Sequence, residues 1–339
     1  MRLKSVLLGG AFTASLVAAL LPSAVHAEDC PGNPDAMGVS RTIVIDPKET
    51  PTLGGHQYNS RLPLEPKEFI LTFDDGPIKK TTPAVLDFLK SECAKATFFL
   101  IGVNAQENPD LVRRIAEEGH TIGTHTRTHA YLSRLPIEKA QQQIDDGFRI
   151  AQAALDPIGK KVSPFFRYPG LLDTPQTEAY LREHNIATVG IDVLASDWFH
   201  RLQHNPEGIL QRAVSRLEER GSGILLLHDV KKVTAGLLPE LFKRLKARGF
   251  KLVHMVAKEG ALPIIPPAPE PTPEEIAARD KTREKATTQK VAERPAVRSR
   301  RVARHHRVAR HYRAQPRHRH THQTARIRSS AYNDFIYER

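Results

Sequence analysis

Short apolar runs recur along the middle of the chain, and segments with helical spacing separate them. The strand-like runs lie at 69–73, 96–101, 120–124, 164–168, 186–193, 223–227 and 250–256. The helix-like segments lie at 82–91, 108–118, 137–155, 174–184, 206–220 and 236–248. Because strands and helices alternate, the pattern predicts a parallel α/β barrel or a doubly wound sheet.

The two ends of the chain differ in composition from this middle part. Residues 1–27 combine Arg2 and Lys4 with an apolar run, which predicts a secretory signal peptide and an exported, periplasmic or secreted protein. A membrane anchor is the alternative, but the run is too short to favour it, and no other segment approaches a transmembrane length. We expect an N-terminal arm at 28–67, a folded domain at 68–262, a Pro-rich and charged linker at 263–297 and a tail at 298–339.

Most of the positive charge lies in the last quarter of the chain. The formal net charge is +12, and residues 263–339 hold 18 Lys and Arg against 8 Asp and Glu, a difference of +10. Residues 298–328 contain 11 Arg and 6 His but no acid, and they have too few apolar residues for a core, so we expect a disordered tail. Its alternatives are a solvated extension without function and an electrostatic tether to an anionic envelope surface. Export argues against nucleic acid as a partner.

The chain has two cysteines, Cys30 and Cys93. An even number of cysteines in an exported protein favours a disulfide between them. Two free thiols are the alternative.

Polar residues follow the predicted strands, at the edge where parallel α/β barrels build their sites. The adjacent carboxylates Asp74 and Asp75 end the first strand, and neighbouring like charges need a compensating partner such as a divalent cation. His125 and His129 follow the third strand, four residues apart, so both imidazoles can reach one metal ion if the segment turns helically. Taken singly, each of these residues is also typical of a core, a turn or a solvated loop, and for the two histidines alone a solvated or capping role is favoured. Later strands bring Arg167, Tyr168, Pro169, Asp192, Asp197, Trp198, Leu226 and His228 to the same edge.

Taken together, these residues resemble the motifs of the NodB-type polysaccharide deacetylases. The five matching stretches are 72–76, 125–129, 167–169, 192–198 and 226–228, in the family's order. The resemblance covers about residues 68–256 and implies an α/β fold, a distorted (β/α)7 barrel, with the arm and the tail outside it. One departure is Gly170, which stands where the family often has an aromatic residue after the motif proline.

The resemblance also implies a role for each motif residue. A divalent metal, zinc first with cobalt or nickel as alternatives, is expected on Asp75, His125 and His129. Asp74 is expected as the general base and His228 as the general acid. Arg167 is expected to orient Asp74, and Asp197 to pair with His228. The expected substrate contacts are Tyr168, Pro169, Trp198 and Leu226.

This set of residues predicts an enzyme that removes N-acetyl groups from a glycan containing N-acetylglucosamine. Peptidoglycan is the first expected substrate because the protein is expected to be exported, and chitin-type oligosaccharides come next. An O-deacetylase of the acetyl xylan type on the same fold is one alternative. A glycan-binding protein without catalysis is another, and the complete set of two Asp and three His argues against it.

Overall fold

The structure is a computed structural model that describes residues 30–268 and residue 270. Its ten strands are β1 (Arg41–Ile45), β2 (Thr52–Leu53), β3 (Glu68–Asp74), β4 (Thr97–Leu100), β5 (Thr121–Thr124), β6 (Phe165–Phe166), β7 (Ala187–Val189), β8 (Val193–Leu194), β9 (Gly223–His228) and β10 (Lys251–Ala257). Its seven α-helices are α1 (Thr82–Ser91), α2 (Gly102–Glu107), α3 (Pro109–Glu117), α4 (Ile137–Leu155), α5 (Pro175–Glu183), α6 (Pro206–Arg220) and α7 (Lys232–Ala247). The expected signal peptide and the Arg/His-rich tail lie outside the described residues.

The alternation of strands and helices predicted for the middle of the chain is confirmed. Four of the described helices, α1, α3, α5 and α6, begin at a proline or one residue before it, where a missing backbone N–H has no consequence. Helix α7 begins four residues earlier than predicted, and α2 was not predicted. Helix α2 has only six residues, too few to display a helical repeat of apolar positions.

The described strands pair in parallel throughout. The ladders β8–β9, β9–β3, β3–β4, β4–β5, β5–β6 and β6–β7 follow one another around most of a ring. No ladder joins β7 to β8 within the described residues, so a closed barrel is not confirmed. Strand β2 of the N-terminal arm pairs with β7 and occupies the edge that a closing strand would need.

Strand β3 shows how the fold aims its polar residues. Phe69, Leu71 and Phe73 pack in the cluster that includes the helices, whereas Ile70 packs in a second cluster with residues of other strands. Successive side chains of a strand point to opposite faces, so Thr72 and Asp74 share the face of Ile70. The strand therefore directs Asp74 to the interior side of the sheet at its carboxyl end.

The N-terminal arm is fastened to the domain at several points. A disulfide joins Cys30 to Cys93, the pairing expected from the sequence. The backbone N–H of Gly38 donates to the carbonyl of Glu92 at 2.9 Å, and β1 pairs along its whole length with β10. The arm thus covers an edge strand that would otherwise expose unpaired backbone groups.

The chain remains attached to the domain beyond the boundary expected at residue 262. The N–H of Ile264 donates to the carbonyl of His184 at 2.9 Å. The Arg149 guanidinium donates to the carbonyl of Pro266 at 3.4 Å. The hydrogen-bonded part of the chain therefore extends to residue 266. No helix among the described residues combines the length and the apolar character that crossing a membrane requires.

Candidate active site

The carboxyl ends of the parallel strands bring the predicted catalytic residues to one edge of the sheet. Asp74 ends β3 and His228 ends β9, and these two strands are paired with Asp74 directly opposite His228. His125 follows β5, and Arg167 follows β6, the next strand of the sheet. Residues that are far apart in the sequence therefore lie side by side, because neighbouring strands end at the same edge.

The three residues predicted to bind a metal, Asp75, His125 and His129, direct one side-chain atom each at a common point. The Oδ1 atom of Asp75 lies 3.8 Å from Nε2 of His125 and 3.5 Å from Nε2 of His129. Tetrahedral coordination with bonds of about 2.1 Å would separate ligand atoms by roughly 3.4 Å, close to these spacings. Oδ1 of Asp75 is buried and has no hydrogen-bond partner among the described residues. A buried carboxylate oxygen without a partner fits a bound cation, so this donor set suits the expected metal.

The tautomer of His125 is set by its second ring nitrogen. Nδ1 donates to the backbone carbonyl of Arg167 at 2.7 Å, which leaves the lone pair of Nε2 facing Asp75. Burial, together with the neighbouring His129, lowers the pKa of His125 to about 3. The imidazole is therefore neutral at physiological pH, which is the form that binds a metal ion.

The backbone supports this arrangement in an uncommon conformation. Asp75 has a φ of 78° and His129 a φ of 59°, both in the left-handed region that non-glycine residues seldom occupy. Such conformations persist where the surrounding structure holds them, and they concentrate at functional sites.

Asp74 is held by a fully buried arginine. Nη1 of Arg167 donates to Oδ1 of Asp74 at 2.7 Å and to Oγ1 of Thr72 at 2.8 Å. Nε and Nη2 of the same guanidinium donate to the carbonyls of Val189 and Gly190. A buried ion pair needs such additional hydrogen bonds to offset its desolvation. Arg167 thus fixes the position of the Asp74 carboxylate.

His228 and Asp197 form a second buried pair. Nδ1 of His228 lies 2.8 Å from Oδ1 of Asp197, and the backbone N–H of His228 donates to Oδ2 at 2.7 Å. Burial alone would lower the pKa of His228, but the charge and hydrogen bond of Asp197 raise it to about 9. The imidazole is therefore protonated at neutral pH, with Nε2 as its second proton donor.

A further buried carboxylate, Asp229, belongs to this edge and was not assigned a role from the sequence. Its Oδ2 accepts from Oγ1 of Thr82, which in turn accepts from the N–H of Ile78 at 2.9 Å. A Cβ atom at Gly76 would lie 2.2 Å from Asp229 Oδ2, so only glycine fits there. Burial, with a contribution from Asp75, raises the pKa of Asp229 to about 7. This network connects the end of β9 to the loop that carries Asp75.

The expected substrate contacts lie in different surroundings. Trp198 is half-buried, whereas Leu226 and Pro169 are buried. Tyr168 is 1% exposed and its hydroxyl donates to Thr177 at 2.9 Å, so it packs in the core and does not line an open cleft.

Tyr131 is a further half-buried aromatic residue beside the candidate metal ligands, and it was not predicted from the sequence. Its ring centroid lies 6.0 Å from that of His129, and a Cβ atom at Gly170 would be 2.4 Å from its Cε1 atom. The glycine that departs from the family pattern therefore makes room for the Tyr131 ring. Asp192 lies apart from the site, where its carboxylate accepts from the N–H groups of Gly55 and Ile224.

Two cavities of about 760 and 510 Å³ lie away from this edge, and none of the predicted catalytic or metal-binding residues lines them. Both are lined by His120 and His254. Burial lowers the pKa of His120 to about 3 and that of His254 to about 4, so both imidazoles are neutral. Both histidines are buried, packed residues.

Comparison with known proteins identifies the family. The family profile described as Polysaccharide deacetylase matches residues 61–189. A peptidoglycan-N-acetylglucosamine deacetylase of Bacillus cereus is 33% identical over 203 residues, which cover 57% of this chain and 88% of that relative. The chain belongs to the polysaccharide deacetylase family. The profile match ends before Asp197 and His228, so for this pair the geometry of the structure is independent of the profile.

Other members of the polysaccharide deacetylase family match over different shares of their length. A peptidoglycan-N-acetylglucosamine deacetylase of Listeria monocytogenes is 33% identical over 190 residues, which are 55% of this chain but 38% of the relative. A peptidoglycan deacetylase structure from Bdellovibrio bacteriovorus is 28% identical with a TM-score of 0.58, covering 68% of this chain and 63% of that chain. A Bacillus anthracis structure described as a CE4 family pseudoenzyme is 25% identical with a TM-score of 0.50, covering 57% and 65%.

Proposed function

We propose that the chain is a metal-dependent deacetylase that hydrolyses N-acetyl groups of a glycan containing N-acetylglucosamine, with peptidoglycan as the first substrate and chitin-type oligosaccharides as the second. The observation that carries the proposal is the buried Oδ1 atom of Asp75, which has no described hydrogen-bond partner and lies opposite two imidazole nitrogens. Two further side-chain pairs belong to the same site: Asp74 with Arg167, which suits a general base, and His228 with Asp197, which suits a general acid.

In this proposal Asp75, His125 and His129 hold the divalent metal. One carboxylate and two imidazoles suit zinc first, with cobalt or nickel as alternatives. When bound, the cation would supply electrostatic polarisation of the acetamide carbonyl and would acidify water. Trp198 and Leu226 are the apolar side chains assigned to the acetyl methyl group.

The chain's own residues carry the two proton transfers. Asp74, oriented by Arg167, accepts a proton from the water molecule that attacks the acetamide carbonyl carbon. His228 donates a proton from Nε2 to the departing nitrogen, since its Nδ1 is engaged by Asp197. The carbon–nitrogen bond breaks, and the products are acetate and a free amine on the sugar.

The names of the relatives support the choice of substrate. The Bacillus cereus and Listeria monocytogenes relatives are named peptidoglycan-N-acetylglucosamine deacetylases, and a Bacillus subtilis relative is named a peptidoglycan-N-acetylmuramic acid deacetylase. Family membership alone does not establish activity, because the family fold includes a protein described as a pseudoenzyme. The proposal of catalysis therefore relies on the residues of the site.

A glycan panel tests this function. Protein saturated with zinc or cobalt is incubated with peptidoglycan, chitin oligosaccharides and acetylated xylan, and the acetate released is measured. We expect acetate from the first two and a matching increase of free amine. Acetate from xylan alone would support the O-deacetylase, and binding of glycan without acetate from any substrate would support a glycan-binding protein.

For the chain ends we infer export directed by residues 1–27 and a tethering role for residues 298–339, all of which lie outside the described residues. The composition of the tail, with 11 Arg and 6 His between residues 298 and 328, suits attraction to an anionic envelope surface. Truncation after Pro266, which accepts the last hydrogen bond to the domain among the described residues, tests this role.

We expect the truncated protein to turn over short chitin oligosaccharides at an unchanged rate but to be retained less on isolated envelopes. Retention of the full chain should fall steeply as salt is added, because screening weakens exposed charges. Retention of both forms that is equal and insensitive to salt would exclude the tether. Loss of turnover on the short substrate would place the domain boundary later than residue 266.

A further inference from the structure

Three of the loops that carry site residues expose charges of one sign. The loops that follow β3, β5 and β8 each contain at least one site residue and at least one exposed cation, and α7 begins with an exposed lysine directly after the β9 loop. The exposed cations are Lys79, Lys80, Arg127, Arg134, Arg201 and Lys232. We call these six side chains the cationic rim.

The acids of the same loops do not neutralise the cationic rim. Asp197 and Asp229 are fully buried, and the Asp75 side chain is 20% exposed and faces the two histidines. Arg127 lies 3.4 Å from Asp146 of α4. The other rim cations form no ion pair with a described residue. Asp173, an exposed acid after β6, accepts a hydrogen bond from the Tyr58 hydroxyl.

An aromatic ring lies within the cationic rim beside the candidate metal ligands. Tyr131 is half-buried, its ring meets that of His129 edge to face, and the guanidinium of Arg134 lies over it at 4.8 Å. Its hydroxyl has no hydrogen-bond partner among the described residues. Sugar rings pack against aromatic faces, and a free hydroxyl can bond to sugar oxygens, so this residue suits a carbohydrate.

The combination of aromatic ring and unpaired cations fits a glycan that carries negative charge. We propose that the cationic rim makes the site selective for a glycan substituted with carboxylates over a neutral polymer of N-acetylglucosamine. The inference rests on the proposed function and specifies its substrate class. Peptide stems, and lactyl groups that carry no stem, supply such carboxylates in peptidoglycan, whereas chitin has none. Exposed charges of one sign around a site attract an oppositely charged polymer, and salt screens that attraction.

The chain provides a matched control for the cationic rim. Lys79 and Lys80 are adjacent, exposed, and in the loop that carries Asp75. Lys160 and Lys161 are also adjacent and exposed, but they precede β6 and so lie toward the opposite edge of the sheet. Neutralising either pair changes the net charge by the same amount, and only the first pair belongs to the rim.

The experiment compares K79Q/K80Q with K160Q/K161Q in the full, metal-loaded chain. Three probes are used: soluble peptidoglycan strands, the same strands with their carboxylates converted to methylamides, and a short chitin oligosaccharide. KM and kcat are measured for each at low and high salt. A labelled fragment of each probe also gives Kd by fluorescence anisotropy.

We expect a KM for the native strands about fivefold below that for the amidated strands at low salt, and a smaller ratio at high salt. K79Q/K80Q should reduce the ratio of KM for amidated strands to KM for native strands, with kcat unchanged. K160Q/K161Q should leave that ratio unchanged, and neither double variant should change KM for the chitin oligosaccharide. Equal KM for native and amidated strands, or equal effects of the two double variants, would overturn the proposal.

The binding measurement tests the selectivity of the cationic rim independently of the deacetylase activity. Absence of acetate from every probe would refute the proposed deacetylase. The ratio of Kd for native and amidated strands would still decide the selectivity of the cationic rim. Equal Kd values would overturn it whatever the enzymatic result.

Discussion

The substitution Thr82→Val tests the network that connects β9 to the loop carrying Asp75. Valine keeps the shape of threonine but lacks the hydroxyl. In the structure that hydroxyl donates to Oδ2 of Asp229 and accepts from the N–H of Ile78. Both Thr82 and Asp229 are fully buried, so neither lost partner can be replaced directly by bulk water.

The expected loss follows from this burial. A hydrogen bond to a charged group is worth about 1.5–3 kcal/mol, and a buried group left without its partner incurs a desolvation penalty. We expect the free energy of unfolding to fall by about 2 kcal/mol, which for a domain of this size lowers Tm by roughly 4–8 °C.

The pH dependence has a definite sign. The folded-state pKa of Asp229 is raised to about 7, above its unfolded value, so its ionisation lowers stability as pH rises towards 7. Removing the Thr82 donor raises that pKa further. The difference in stability between Thr82→Val and the parent should therefore be largest above pH 7 and should shrink on acidification. Unfolding by urea of the metal-free proteins, measured from pH 5 to 8.5, gives this difference.

The preceding residue provides the control. Thr81 is also buried, and its Oγ1 has no hydrogen-bond partner among the described residues. Thr81→Val should therefore lower the free energy of unfolding by less than about 0.5 kcal/mol or raise it slightly, because it removes a buried hydroxyl that has no partner. Equal losses for the two variants, or a loss for Thr82→Val that does not vary with pH, would refute the reasoning.

Three further outcomes follow from the geometry. His125→Ala should lower zinc affinity by about 100-fold or more in competition with a chelator, whereas Asp74→Asn should retain zinc, because only the first removes a ligand atom. The rate should fall as pH rises through about 9, where His228 loses its proton, and Asp197→Asn should move this decline to lower pH. The disulfide closes a separation of 63 residues, so its reduction should lower the free energy of unfolding by about 4 kcal/mol in the chain-entropy account, measured with and without reductant.

The elements of the core could be predicted because their signals are local. Strand β3 is a continuous apolar run ended by charged and turn residues, and a proline near the start of α3 or α6 fixes where the helix begins. Closure of the sheet had no local signal. The two-residue strand β2 is too short to show alternation, yet it occupies the edge of β7.

The candidate site could be predicted for the same reason, since most of its expected residues end a strand or follow one within a few residues. The surroundings of those residues depend on tertiary contacts. Burial of Tyr168 and exposure of Tyr131 depend on which loop covers which ring, and the space at Gly170 depends on a residue 39 positions earlier. The buried network at Asp229 likewise joins residues of two separate loops, which spacing in one sequence cannot reveal.

Stoichiometric acetate release by a metal-matched pair of proteins tests the central claim most directly. Zinc-loaded parent and zinc-loaded Asp74→Asn, with metal content verified as equal, are incubated with peptidoglycan, and acetate and free amine are both counted. The parent should release one acetate for each new amine, and Asp74→Asn should release almost none. Equal rates in the two proteins, or no acetate from the zinc-loaded parent, would contradict the account.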